Sequence, residues 1–312
     1  MRTSILAFLV ATVAVQVTVG LPAIRPNLHR QKRDLALREA NANRLLPRVI
    51  GGVEVPDNEY SFVAFVHMNS EEYGEGGCTG TLLSPNIVIT AAHCVCISDD
   101  LQYNPSEVQI TFSHKSPYID DSLVGYNVSQ FIVHPDYKTS VFGVADIALL
   151  ILNTTVPETV ATTVKLYNGD WDLDTPFENS GFGLIDPLNY TVVTETLMKT
   201  DLKAGDPEYC KELFHEYDPA TLICTEAREG KDMCYGDSGG PLMTPVDNGS
   251  DAYAQIGIAS FLSANYTNPF IICGTLDSES YFTRVEPYLG WIVEASGLNM
   301  TEITASNTTS AK

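Results

Sequence analysis

The run Gly236-Asp237-Ser238-Gly239-Gly240-Pro241 constrains this chain more than any other stretch. It sets a serine between a carboxylate and two glycines. Glycines accept positive φ and let another chain approach the main chain closely, so the run reads as a tight turn that presents a hydroxyl. By itself such a string is a weak signal, because Gly and Ser are common in turns. Here it has companions upstream in a fixed order. Thr90-Ala91-Ala92-His93-Cys94 supplies a histidine, and Asp146-Ile147-Ala148-Leu149-Leu150 supplies an aspartate entering an apolar strand. A neutral hydroxyl is a poor nucleophile. A histidine with an intrinsic pKa near ~6.5 can take its proton and later return it. Taken singly, each residue has an ordinary alternative: a core histidine, an N-cap aspartate, a turn serine. The three in matching motifs and in this order argue for nucleophilic catalysis.

The body of the chain is strand-rich. Phe62–Val66, Ile87–Thr90, Val108–Phe112 and Ala254–Ile258 are short and rich in β-branched or aromatic residues. Turn sequences separate them, such as Ser84-Pro85-Asn86, His134-Pro135-Asp136 and Asn168-Gly169-Asp170. Many short strands without long helical periodicity indicate an all-β barrel or sandwich. A helix is predicted at 285–297, where Pro287 sits early, apolar residues recur at helical spacing and Gly297 stops the run. No internal repeat is visible.

Histidine, aspartate and serine follow one another in the order of the chymotrypsin-like triad, not that of subtilisins or α/β-hydrolases. The chain therefore resembles the trypsin/chymotrypsin family of serine endopeptidases from about Val49 to Leu298. The resemblance implies an all-β fold of two packed six-stranded antiparallel barrels with a C-terminal helix. The lobes are expected at about 49–160 and 161–285. It implies catalysis by His93, Asp146 and Ser238, with the N–H groups of Gly236 and Ser238 as the oxyanion hole. Arg48-Val49-Ile50-Gly51-Gly52 resembles an activation junction, so cutting after Arg48 would free the Val49 amine to pair with Asp237. Asp232 occupies the place of the base of the primary specificity pocket, which implies cleavage after Arg or Lys. Ser260, Phe261 and Leu262 resemble the segment that pairs with the substrate backbone. Trypsins have glycine where this chain has Leu262 and Ser280, so a narrowed pocket that cleaves after small apolar residues is the alternative. A protease-like binding glycoprotein without activity is a further one, since fold does not fix function.

Cysteine usage fits an oxidising compartment. The resemblance implies the bridges Cys78–Cys94, Cys210–Cys224 and Cys234–Cys273. Of the 7 cysteines, Cys96 is left over. It is read as a free buried thiol in preference to an intermolecular link or a competitor for the partner of Cys94. No metal or cofactor is expected. The calcium loop of some relatives falls near 113–124, where the spacing of Asp120-Asp121 does not match.

The ends read differently from the body. Arg2 and the apolar run Ile5–Val19 describe a secretory signal peptide at 1–20, with cleavage as late as 23. Residues 21–48 form a basic pro-segment, with Lys32-Arg33 either a first dibasic cut or a plain solvated stretch. The chain holds 18 Lys and Arg and 39 Asp and Glu. Eight of those cations and only two of the acids precede Val49, leaving 10 against 37 in the remainder. That balance argues against nucleic acid and anionic membranes as partners. An acidic surface is the plainer reading; attraction of cationic substrates is the other. A secreted, extracellular monomer acting on protein or peptide substrates, and checked by proteinaceous inhibitors, is expected. Sequons stand at Asn127, Asn153, Asn189, Asn248, Asn265, Asn299 and Asn307, of which Asn153, close behind an apolar strand, is the least expected to carry sugar. Residues 299–312, rich in Ser, Thr and Asn, read as a disordered tail.

Overall fold

The computed structural model describes residues 51–57, 59–115, 123–184, 194–226, 230–246, 253–264, 273–274 and 278–306. Residues 1–50, which hold the leader, the pro-segment, Arg48 and Val49, lie outside the described residues. So do Asp120-Asp121 and the sequons at Asn189, Asn248, Asn265 and Asn307.

Six strands close into the first barrel. In ring order they are Val63–Ser70, Gly74–Ser84, Ile87–Thr90, Ala148–Leu152, Gly125–Val133 and Val108–Thr111, which returns to the first. Closure leaves no free sheet edge, and inward side chains fill the interior. Val66, Leu82, Val88, Ile89, Ile110, Leu149 and Leu150 supply that filling and are fully buried.

The second lobe is also a ring of six. Met198–Leu202 pairs with Phe177–Gly181, then come Pro241–Pro245, Tyr253–Ala264, Ser278–Arg284 and Leu222–Glu226. The ring is completed by a single bridge, Ala204 to Thr225. Flanking bonds from Gly205 N–H to Cys224 O (2.9 Å) and Glu226 N–H to Lys203 O (2.9 Å) hold it. The architecture is the all-β pair of barrels expected from the sequence. Val53–Glu54, just downstream of the junction, is added antiparallel to Met198–Lys199.

At the C-terminal end Pro287 lies in a 3-10 turn, Glu286–Tyr288, that leads into an α-helix, Leu289–Ser296. Gly297 ends it at φ 71°, in the left-handed region where a β-carbon is unfavourable. A second helix, Pro207–Leu213, was not expected. Asp206 caps it, accepting from the N–H groups of Glu208 and Tyr209 at 3.0 Å each. The reading of 299–312 as disordered is corrected for its first part. Asn299 caps a helical turn, Met300–Ile303, and Thr304–Ala305 pairs in parallel with Leu166–Tyr167. The physical reason is burial of Ile303 (4% exposed) against the apolar core, which a polar composition average hides.

Three disulfides join Cys78 to Cys94, Cys210 to Cys224 and Cys234 to Cys273, and Cys96 is free and half-buried. Among the described residues no helix is long and apolar enough to cross a membrane. Asn127, Asn153 and Asn299 are all exposed.

Candidate active site

His93 lies in a one-turn 3-10 helix, Ala92–Cys94, that follows the buried strand Ile87–Thr90. The Cys78–Cys94 bridge ties this turn to the neighbouring strand. Asp146 precedes the strand Ala148–Leu152, which pairs with Ile87–Thr90. Two adjacent strands of one barrel thus deliver the two side chains to the same rim. Ala145, just before Asp146, has φ 48°. That left-handed backbone costs a residue with a β-carbon roughly 1–2 kcal/mol, and nothing in the motif announced it.

The buried Asp146 carboxylate grips the histidine twice. Oδ2 lies 2.8 Å from His93 Nδ1, and Oδ1 accepts the His93 backbone N–H at 2.9 Å. The Ser260 hydroxyl also donates to Oδ2. Burial pushes the Asp146 pKa up, but the His93 charge and these hydrogen bonds outweigh it, and the net shift is down. Burial likewise pushes His93 down, and Asp146 more than reverses it. With Nδ1 committed to the carboxylate, Nε2 is the nitrogen that faces the cleft.

Ser238 arrives from the other lobe. Its carbonyl accepts the Thr79 N–H at 2.8 Å, and the next N–H, of Gly239, donates to Ala259 O at 2.7 Å. The serine turn is therefore stitched to both lobes at the cleft. Cys94 Sγ is 3.9 Å from His93 Nε2 and 3.7 Å from Ser238 O, so histidine and serine border the same disulfide. Gly236 has φ 100°, and a β-carbon there would stand 3.0 Å from Gly183 Cα. Among the described residues no backbone hydrogen bond uses the N–H of Gly236 or of Ser238. Such a pair of N–H groups can receive an oxyanion.

Two more buried carboxylates lie beneath. Asp237 accepts the Gly183 N–H and the Cys234 N–H, each at 2.8 Å. Burial pushes its pKa up to about 7, with Asp232 adding a like charge. The sequence did not single out Gly183, yet a β-carbon there would come within 2.6 Å of this carboxyl. Asp232 accepts the Gly274 N–H at 2.9 Å, the Ser280 hydroxyl, and more weakly the Ser278 hydroxyl at 3.5 Å. It has no exposed surface, and burial pushes its pKa up to about 6. Leu262 packs against the Cys234–Cys273 bridge and Leu184. Met233, beside Asp232, is buried in the second-lobe core and was missed by motif reasoning.

Among the described residues the one grouping with metal-ligand atoms close together is His93 with Cys78 and Cys94. Both sulfurs are spent in a disulfide, so the set cannot hold a metal.

The model of the Trypsin family matches residues 49–292. Hypodermin-B of Hypoderma lineatum is 31% identical over 255 residues, covering 79% of this chain and 87% of its own. Tryptase of Mus musculus is 29% identical over 263 residues, covering 78% and 87%. Serine protease SSP1 of Scolopendra subspinipes is 28% identical over 254 residues, covering 79% and 82%. A solved structure of neuropsin, a serine protease expressed in the limbic system of mouse brain, shares the fold. It has TM-score 0.63 and 22% identity, covering 78% of this chain and 98% of its own. The chain belongs to the trypsin family and is a serine endopeptidase with protein substrates.

Proposed function

We propose that the protein is a secreted zymogen, activated by cleavage after Arg48, that cuts after Arg or Lys through an acyl-enzyme. The observation that carries the catalytic part is the double grip of Asp146 on His93, at 2.8 and 2.9 Å, beside the Ser238 turn. His93 Nε2 removes the Ser238 hydroxyl proton as Oγ bonds to the substrate carbonyl carbon. The carbonyl π pair moves onto oxygen, which the N–H groups of Gly236 and Ser238 stabilise. One such donor contributes roughly 3 kcal/mol to lowering the barrier. Collapse of this intermediate breaks the C–N bond, and His93 gives its proton to the departing amine. Water, deprotonated by His93, then releases the acid and restores Ser238.

The zymogen reading rests on Asp237, a buried carboxylate held by neutral N–H groups. Unpaired buried charge is costly, so a new amine at Val49 would settle it. Gly51, two residues on, packs against Gly230 and Lys231, close in sequence to Asp232. Cationic specificity rests on Asp232. The second reading, cleavage after small apolar residues, is favoured by the lack of exposed surface on Asp232 and by Leu262 against the disulfide. A peptide-library digest by the activated protein decides between them through the residue before each cut. Cuts mainly after small apolar residues would overturn the cationic reading. N-terminal sequencing tests activation, and an active form beginning well upstream of Val49 would sink it.

A further inference from the structure

Thr79 lies on the first-barrel strand Gly74–Ser84, directly after the Cys78 that is bridged to the His93 turn. It has no exposed surface. A threonine offers a backbone N–H, a backbone C=O and a hydroxyl that can both donate and accept. Here all of these functions are engaged. The N–H donates to Ser238 O at 2.8 Å. The hydroxyl donates to Gly236 O at 2.9 Å and accepts the Phe182 N–H at 3.3 Å. The carbonyl accepts the hydroxyl of Thr90, on the strand that leads to His93, at 2.8 Å. The side chain fits a slot left by two glycines. A β-carbon on Gly181 would stand 3.1 Å from the Thr79 hydroxyl oxygen, and one on Gly240 3.1 Å from its methyl carbon.

Gly236 needs such support. Its φ is 100°, and glycine has little intrinsic preference between positive and negative φ. The aim of its N–H must come from whatever holds the two peptide planes beside it. The plane before it is held through Tyr235 O, which accepts the Leu184 N–H at 2.7 Å. The peptide unit is planar and trans, so that bond turns the Gly236 N–H the opposite way. The plane after it is held by the Thr79 hydroxyl on Gly236 O and by the Asp237 N–H on Cys234 O, at 3.0 Å. Leu184 and Cys234 belong to the second lobe. Among the described residues the first lobe, which carries His93, reaches the turn through two donors, and both belong to Thr79. One of them, the N–H on Ser238 O, fixes a point about which the turn could still pivot. The hydroxyl removes that pivot.

We propose that Thr79 is a positioning residue. Its hydroxyl locks the serine turn of the second lobe onto the first and so sets the aim of the Gly236 and Ser238 N–H groups at the oxyanion. The proposal rests on the reading of those two groups as the oxyanion hole. The same hydroxyl holds Phe182, whose neighbour Gly183 donates its N–H to Asp237 at 2.8 Å, so the turn and its buried carboxyl are fixed together.

The test compares the activated wild type with Thr79→Val, which keeps the shape and loses the hydroxyl, and Thr79→Ser, which keeps the hydroxyl. Each is assayed on a peptide amide ending in the residue that the library digest returns. Each is also titrated with the matching peptide aldehyde and peptide alcohol. Ser238 Oγ bonds to the aldehyde carbon, the carbonyl π pair moves onto oxygen and the serine proton passes to His93. The alcohol fills the same subsites without developing that charge. Removing an oxyanion donor outright costs about 10²–10³ in kcat, and a donor that is only loosened should cost less. Thr79→Val is expected to lower kcat and aldehyde affinity by about tenfold each, with KM and alcohol affinity unchanged. Thr79→Ser should restore most of both. Thr79→Ala carries the same expectation as the valine variant and replaces it if that variant does not fold. The proposal alone is overturned by wild-type kcat and aldehyde affinity without the hydroxyl, by equal losses for aldehyde and alcohol, or by a serine variant no better than the valine one. Failure of both the valine and the alanine variant to fold overturns it too, because Thr79 is then a folding residue. A wild type that binds the aldehyde no more tightly than the alcohol overturns the oxyanion-hole reading instead.

Discussion

Asp146 and Asp237 are equally hidden, at 4% and 0% exposure, yet their pKa values move in opposite directions. Asp146 has a partner that carries charge, and its pKa falls. Asp237 has two neutral N–H groups, and its pKa rises to about 7. Asp232, answered by hydroxyls and the N–H groups of Gly274 and Met233, follows Asp237 and rises to about 6. Burial is common to all three; the charge of the partner sets the direction. The first lobe therefore holds a completed electrostatic pair, whereas the second holds two carboxylates that still lack a cation among the described residues. On the proposed function those two vacancies are filled in turn, by the activation amine and by the substrate.

The catalytic cluster should show the largest effects. On the proposed function Ser238→Ala removes the nucleophile and should lower kcat by several orders of magnitude while the disulfides and fold persist. Single-turnover kinetics on the activated protein measures it, and near wild-type rates would break the reading. Asp146→Asn should cost about 10⁴ in kcat, because an amide in place of the carboxylate favours the wrong imidazole tautomer.

Asp237→Asn should come next. On the proposed activation, it would leave the Val49 amine of the cleaved enzyme buried and unpaired, a loss of roughly 3–5 kcal/mol, read as a large fall in activity with His93 and Ser238 intact. In the uncleaved chain the same change should act through pH. A carboxyl raised to about 7 holds a proton in the folded state that the unfolded state releases near pH 4. Its contribution is thus fully present below pH 4 and is lost as pH rises toward 7. Melting of an Arg48→Gln single chain should show this decline, and adding Asp237→Asn should flatten it. Asp146 runs the other way: its lowered pKa gives stability at neutral pH that is lost in acid, as pH falls through that value. Equal slopes for both variants would dissolve the comparison.

A smaller effect is expected at Ser280. Its hydroxyl donates to Asp232, the carboxylate that a substrate cation would engage on the proposed function. Ser280→Ala should raise kcat/KM on Arg substrates several-fold if that bond competes, whereas Leu262→Gly tests narrowing alone. If only Leu262→Gly responds, steric closure and not hydrogen bonding governs the pocket. The smallest change concerns pH and rate. With His93 raised by Asp146, activity should climb as pH passes above the ordinary histidine range, because only neutral imidazole accepts the serine proton.

Much of the site was legible as local chemistry. Gly236 and its neighbours announced a turn with positive φ, and short β-branched or aromatic runs between turn residues announced the strands of an all-β fold. His93, Asp146 and Ser238 could be singled out because each sits in its own short motif. What escaped had no local signature. The Thr79 hydroxyl donates to a carbonyl 157 residues downstream. Gly183 clasps a carboxyl 54 residues downstream. The helical turn at Met300–Ile303 exists because Ile303 finds a core, which a Ser/Thr/Asn-rich composition concealed.

The sequence by itself determined the class of fold, the chemical groups available and the order in which the chain presents them, because turn residues, strand composition and short motifs act over a few residues. Tertiary structure alone decided which carboxylate received a charged partner, which was left to neutral donors, and which hydroxyl met the serine turn from the opposite barrel. Those outcomes depend on burial and on distances of about 3 Å between residues far apart in the chain, where desolvation and charge pairing are large and neither can be read from neighbours in sequence.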